Sequence, residues 1–573
     1  MNRTYIPLGI FALSAVLSAQ TAPPNKFLVH NLVSDLPGIA DHQDPNLLNP
    51  WGNGFANQPF WIGNNHSGTA TLYDGYGNKV ALTVSIPAPG GATGGAVTGV
   101  ISSGAAAAFN TGGKPSSFLF CSEDGIISGW NTGTTAAVLV DNSKAGAIYK
   151  GCTLMTNTPI GPVLYAANFN SGKIDSWDGK LNANPLPANA FVNTAIPAGF
   201  APFNIQAIGS YLYVTYAKQD DQKEDDVAGA GNGYLAVFDT VGNLVGNLVA
   251  KGQLNSPWGL VMAPATFGPF PNALLVGNFG DGNINAFNPL TGALLGTLGL
   301  VDSKGAAATI PGLWSLSFGS GAQNEDPGTL YFTAGPGGGP NNDPLESHGL
   351  LGSISPVPTV KTNGLLNAGS LLSGPIAPGT FVTISGNALS PITASAQTTG
   401  TALSGVSVAV NGEPAFVSFI GNTQINFLVP ADVQLGPGQI VITDNGLASA
   451  PVATTIAPSA PGFFILGTAS GTAYIAAEHA DFSLIGPANL IKGATTTPAK
   501  AGETIQLFGT GFGAKPEVII EGIPATVTFG GQIAPGLYQI NVVIPAGLAT
   551  GDAEVVAFVG NAQSQAAAFI PIQ

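Results

Sequence analysis

The sequence predicts an all-β protein: a six-bladed β-propeller followed by two immunoglobulin-like (Ig-like) β-sandwich modules. Three observations predict it. The 573 residues exceed what one hydrophobic core usually holds, so more than one domain is expected. Glycine (79) and proline (44) are abundant, whereas 8% of residues are charged and 45% hydrophobic, a composition for turns and buried strands rather than for disorder. Finally, one hairpin-like unit recurs six times in the first part of the chain, and a different unit recurs twice in the second.

At the start, residues 1–19 combine a positive charge at Arg3, an apolar run from Ile6 to Leu17 and a small-residue exit at Ser18-Ala19. That is the layout of a secretory signal peptide. The apolar run is too short to span a bilayer, and polar Gln20-Thr21 and Pro23-Pro24 follow it. Export is therefore expected, to a periplasmic, cell-surface or extracellular location and without membrane insertion.

The first repeated unit is an aromatic or aliphatic strand, a polar turn ending in Gly, and a second strand closing on an aromatic. It occurs at Phe60 to Asp74, Phe118 to Asn131, Leu164 to Asp178, Leu212 to Asp239, Leu274 to Asn288 and Leu330 to Ile354. Alternating side chains around Gly and Asn turns make hairpins, and hairpins repeated at blade-sized intervals predict a propeller over residues 26–355. A short segment precedes many of them, as at Trp51-Gly52-Asn53, Asn204-Ile205-Gln206, Trp258-Gly259-Leu260 and Trp314-Ser315-Leu316, and is assigned as the innermost strand. Phe27 to Val33 is expected to supply an outer strand that closes the ring, removing exposed edges. Residues 356–361, with Pro356 and Pro358, read as a linker. Beyond it, residues 362–460 and 461–573 each carry short strands with frequent turns, and their matching segments (Gln424-Ile425-Asn426-Phe427 and Gln539-Ile540-Asn541-Val542) mark them as two related sandwiches.

Several segments carry a wider resemblance: Asp41 to Gly52 (DHQDPNLLNPWG), Gly199 to Gln206, Tyr213 to Gly233, Ser256 to Leu260 and Leu274 to Phe287. On these the first part resembles a family of exported bacterial six-bladed propellers with NHL-like repeats. The second part looks like the tandem IPT/TIG-type domain of exported proteins of soil bacteria. The resemblance implies a fold and brings no catalytic residue with it. Cys121 and Cys152 depart from the small or aliphatic residues of that family. They fall on strands of consecutive blades, and two readings stay open: a cross-blade disulfide, or two buried thiols.

Charge narrows the function. Asp and Glu number 31 against 16 Lys and Arg, a net −15, and Arg3 is the single arginine. Nucleic-acid binding is excluded as a main activity, because it relies on clustered cations. No Gly-x-Ser-x-Gly or His-Glu-x-x-His motif occurs, so no catalytic residue is assigned. The candidate ligand-binding residues are Trp51, Trp258 and Trp314, with Asn204, Gln206, His42 and His66, expected around the mouth of the propeller. Indole faces beside neutral amides suit a sugar-like ligand, while blade-to-blade packing is the competing reading of the tryptophans. Asp220, Asp221, Glu224, Asp225 and Asp226 crowd one insertion and form a candidate Ca²⁺ site, with a solvated acidic loop as its rival. The expected function is a binding or surface-adhesion protein that takes a polysaccharide or a cell-surface protein as partner. The alternative is a Ca²⁺-assisted hydrolase or lyase of the lactonase-like propeller type.

Overall fold

The structure, a computed structural model, describes residues 25–54, 59–104, 108–338, 342–390, 392–396, 400–444 and 446–573. The expected signal peptide, residues 1–19, lies outside the described residues. Regular structure is almost wholly β, with two short 3-10 turns at Pro89–Gly91 and Ser143–Ala145.

Residues 27 to 356 form six consecutive sheets, numbered here in chain order and antiparallel except where Phe27–Ser34 pairs in parallel with His42–Gln43 and Leu300–Val301, besides one small hairpin of Asn110–Thr111 with Lys114–Pro115. Their innermost strands are Pro50–Gly54, Val97–Ser102, Tyr149–Met155, Phe200–Ile208, Pro257–Met262 and Leu313–Phe318. Each packs beside the next, and the sixth packs beside the first. The strand Phe27–Ser34 pairs antiparallel with Leu350–Pro356, so the earliest strand completes the last sheet. The third sheet stops at three strands, Tyr149–Met155, Val163–Asn168 and Lys173–Asp178.

Alternation within the strands explains how the ring holds together. Side chains on one face of each sheet meet those of the neighbouring sheet, and every neighbouring pair buries its own cluster. Trp61 and Leu72 meet Phe118 and Phe120 between the first and second sheets. Leu119 and Ile127 meet Leu164 and Trp177 between the second and third, and Val163 and Tyr165 meet Val214 and Phe238 next. The series continues with Leu235 against Val276 and Phe287 and with Leu275 and Ile284 against Leu313 and Phe332. Tyr331 and Leu351 of the sixth sheet then pack on Phe60 and Ile62 of the first. The arrangement is propeller-like.

The expected linker at 356–361 shrinks to Val357-Pro358. Pro356 is still paired with Phe27, the Val357 N–H bonds the Lys26 carbonyl at 3.2 Å, and the strand Thr359–Asn367 has already begun. Two further cores follow. One is built on Ile384, Val408, Ile425, Phe427 and Ile440, the other on Ile505, Leu507, Ile540, Val542 and Val555. In the first, Val406–Val410 buries alternate residues, as a strand with one face inward must. Asn422 of this unit donates to Asp326 of the ring at 3.3 Å.

Candidate functional site: a buried lysine in a crown of carboxylates

Near the start of each inner strand the pairing register slips, between Pro50 and Asn53, Val97 and Gly99, Tyr149 and Gly151, Pro202 and Asn204, Pro257 and Gly259, and Leu313 and Leu316. A bulge leaves a residue out of the ladder and re-aims its side chain. Six corresponding positions thus hold Trp51, Thr98, Lys150, Phe203, Trp258 and Trp314. Small residues follow most of them because the backbones crowd: a Cβ on Gly52 would stand 2.7 Å from the Thr98 carbonyl oxygen, and one on Gly259 2.6 Å from that of Trp314.

Four of the six are aromatic and, with Phe169 and Phe279, form a buried plug. Trp51 and Trp314 stack with centroids 3.5 Å apart, Phe279 stacks on Trp314 at 4.1 Å, and Trp258 meets both tryptophans edge-on. Trp51, Trp258 and Trp314 are 1%, 5% and 1% exposed, so they are packing residues and not an open platform for a ligand. Asn204 is also buried, its amide spent on the Trp258 carbonyl at 2.8 Å. With Gln206 it lines a narrow space of about 40 Å³ further along the inner strands, room for a water and not for a sugar ring. His42 and His66 stand exposed, and no contact among the described residues joins them to the plug.

Lys150 is the one charged residue among the six. It is 2% exposed, yet its ammonium lies 5.3 Å from the Trp51 ring centroid and 5.9 Å from that of Phe169. It pairs with Glu123 and, at 2.7 Å, with Asp225. Burial by itself would lower its pKa, but these two carboxylates outweigh that and hold the ammonium above its usual range. Asn65 donates to Glu123 at 2.8 Å, and Asn49 donates to Glu346 at 2.7 Å while accepting the Trp314 indole N–H at 3.0 Å. Asn65 and Glu123 sit in the hairpin turns of the first and second sheets, Asp225 and Asp226 in the insertion of the fourth, and Glu346 in the connection before Leu350–Pro356 of the sixth. Two sheets therefore set carboxylates on the lysine of the third, and two more set polar groups around them. Burial raises the Asp226 carboxyl to about 6, against opposing help from Ser256 and Lys150. Burial and then the Glu123 charge raise Glu346 to about 7.

The acidic insertion does not act as one cage. Asp220 accepts the Glu224 N–H at 2.9 Å and ties its own turn, and Asp221 and Glu224 are exposed. Asp225 turns to Lys150, and Asp226 points inward, its Oδ2 buried without a hydrogen-bond partner. Among the described residues no three His, Cys, Asp or Glu side chains gather as metal ligands would. The physical reason is that an internal cation, Lys150, already sits where these carboxylates converge.

Sequence reasoning passed over Lys150, Glu346 and Asn49. The signal that finds Lys150 is its register: Lys150-Gly151 aligns with Trp51-Gly52 and Trp258-Gly259. Two supports complete the site. Cys121 and Cys152 form a disulfide with Cα atoms 6.5 Å apart, joining the second and third sheets two residues from Glu123 and Lys150 respectively. His348 bridges Asp35 at 2.8 Å and Asp343 at 3.2 Å, holding down the connection that carries Glu346.

Comparison with known proteins matches residues 369–456 to the IPT/TIG domain. An uncharacterized protein of Acanthamoeba polyphaga mimivirus is 34% identical over 318 residues, spanning 53% of this chain and 76% of that protein. A second uncharacterized mimivirus protein is 35% identical over 276 residues, spanning 45% of this chain and 71% of the relative. The chain belongs to the family of these viral proteins. Solved structures similar to this family member include the Bacteroides ovatus mixed-linkage glucan utilization locus protein SGBP-B in complex with a mixed-linkage heptasaccharide, at TM-score 0.20 and 11% identity, covering 47% of this chain and 58% of that one. The plexin A4 extracellular region gives TM-score 0.25 and 10% identity, covering 96% of this chain and 76% of that one. Likeness this weak says nothing of what the family binds.

Proposed function

We propose that the protein is an exported, non-catalytic binding protein whose six-bladed propeller presents the Lys150 crown to a polysaccharide, with the two Ig-like modules as its spacer. One observation carries this reading. Polar side chains from four sheets gather around a buried, doubly paired lysine over a rigid aromatic plug, a cost in desolvation that ring closure alone does not require. Amides and carboxylates at fixed positions on loops, backed by a rigid scaffold, are suited to hydrogen-bonding a ligand rich in hydroxyls. The scattered carboxylates give the calcium-assisted hydrolase reading no support.

The test is a glycan array probed with the full chain and with Asn65→Ala, which removes the hydrogen bond to Glu123 while sparing the plug. Retention of a defined subset of glycans is expected, weakened about tenfold in the variant, the equivalent of one hydrogen bond. No retention of any glycan, or retention indifferent to Asn65→Ala, would overturn the assignment.

A further inference from the structure

The crown's own occupant shows the chemistry it accepts. Lys150 places a primary ammonium between two carboxylates and against aromatic faces, an arrangement in which cation–π attraction adds to ion pairing. Two carboxylates of the crown are left without a cation. Glu346 receives one hydrogen bond, from the Asn49 amide, through Oε2. Asp226 keeps Oδ2 buried with no close hydrogen bond, and the one group beside it to help is the buried hydroxyl of Ser256. Buried polar atoms are nearly always satisfied, so a buried carboxylate oxygen helped by no more than one hydroxyl, in a cluster of excess negative charge, points to a missing donor.

The charge count says what kind of donor. Four carboxylates, Glu123, Asp225, Asp226 and Glu346, face a single ammonium in a chain of net charge −15 with no arginine among the described residues. Anionic glycans are repelled, and a neutral glycan leaves the excess charge unmatched. A bare divalent cation needs 6 to 8 oxygens at roughly 2.3–2.6 Å, and the carboxylates here are not so gathered. An ammonium bonds at roughly 2.7–2.9 Å and is satisfied by one carboxylate with a hydroxyl or amide beside it. We propose that the crown binds a glycan bearing free primary amines, a de-N-acetylated hexosamine polymer, whose ammonium groups pair with Glu346 and Asp226. This deepens the polysaccharide reading and rests on it.

The experiment is calorimetric titration of the full chain near neutral pH with a glucosamine hexamer and with its fully N-acetylated counterpart, which keeps the hydroxyls and loses the charge. Binding of the amine form is expected, at least tenfold weaker for the acetylated form, and at least tenfold weaker in Glu346→Gln and in Asp226→Asn. Both variants should keep or raise the melting temperature, which separates lost recognition from lost folding. Asp221→Asn with Glu224→Gln removes as much charge from the exposed tip of the same insertion and should leave affinity unchanged. Equal affinity for the two hexamers, or an amine affinity that falls with the tip variant and not with the crown variants, overturns this inference while the array result still stands. Failure to bind either hexamer also overturns it, and retention of other glycans on the array would then keep the broader reading.

Discussion

Taking an ammonium out of water costs several kcal/mol, and at Lys150 that cost is offset by two carboxylates and two aromatic faces. At Glu346 and Asp226 burial outweighs the help that Asn49, Ser256 and Lys150 give, and their effect on stability has a definite sign. Each carboxyl holds its proton more tightly in the folded chain, at about 7 and about 6, than its ordinary value. Between the ordinary value and the raised one the native state therefore binds more protons than the unfolded state, and stability falls as pH rises through that window. Melting temperature should be higher near pH 5 than near pH 8. Glu346→Gln should flatten this slope, gaining about 2 kcal/mol at the upper end and little at the lower, read by urea unfolding at both pH values. A variant that loses stability equally at both would show that Glu346 is held by contacts and not opposed by burial.

At the scale of strands, the repeat was legible because alternation and Gly turns are local patterns, and all six hairpins fall in the sheets the sequence marks. The bulges were not legible. A register slip belongs to a pair of strands, so Trp51, Trp258 and Trp314 could be placed at inner strands from the sequence, with packing as one reading, while their gathering into a single central plug could not. Gly99 shows a similar dependence: a Cβ there would lie 2.4 Å and 2.5 Å from the two disulfide sulfurs, so its role exists only once the second and third sheets meet. The bridge spans a separation of 31 residues. Loop-closure entropy for a loop of that size predicts that Cys121→Ser with Cys152→Ser lowers stability by about 3.5 kcal/mol, measured as a shift in the urea midpoint. A loss well below about 1 kcal/mol would mean that the cluster of Leu119, Ile127, Leu164 and Trp177 already fixes these two sheets.

Across the whole molecule the buried clusters respect boundaries. The ring's clusters end at Ile354, the next core runs from Leu365 to Ile456 and the last from Phe463 to Ile572. Independent cores joined by few contacts, such as Asn422 to Asp326, unfold separately. Calorimetry of the full chain should therefore show at least two transitions, with the ring's retained in a fragment of residues 25–358. A single transition whose calorimetric and van't Hoff enthalpies agree would show that ring and modules are coupled.

The sequence by itself determined the all-β class, the repeated hairpins, the change of unit after the ring and the acidic, arginine-poor surface. Each of these follows from composition or from neighbours along the chain. Only the tertiary structure decided the site. Glu123 and Asp225 lie 27 and 75 positions from Lys150, and Asn49 lies 297 from Glu346, so no local pattern records their meeting. Ring closure brings them together, and the low dielectric around the aromatic plug then turns side chains that would be ordinary surface charges into a site.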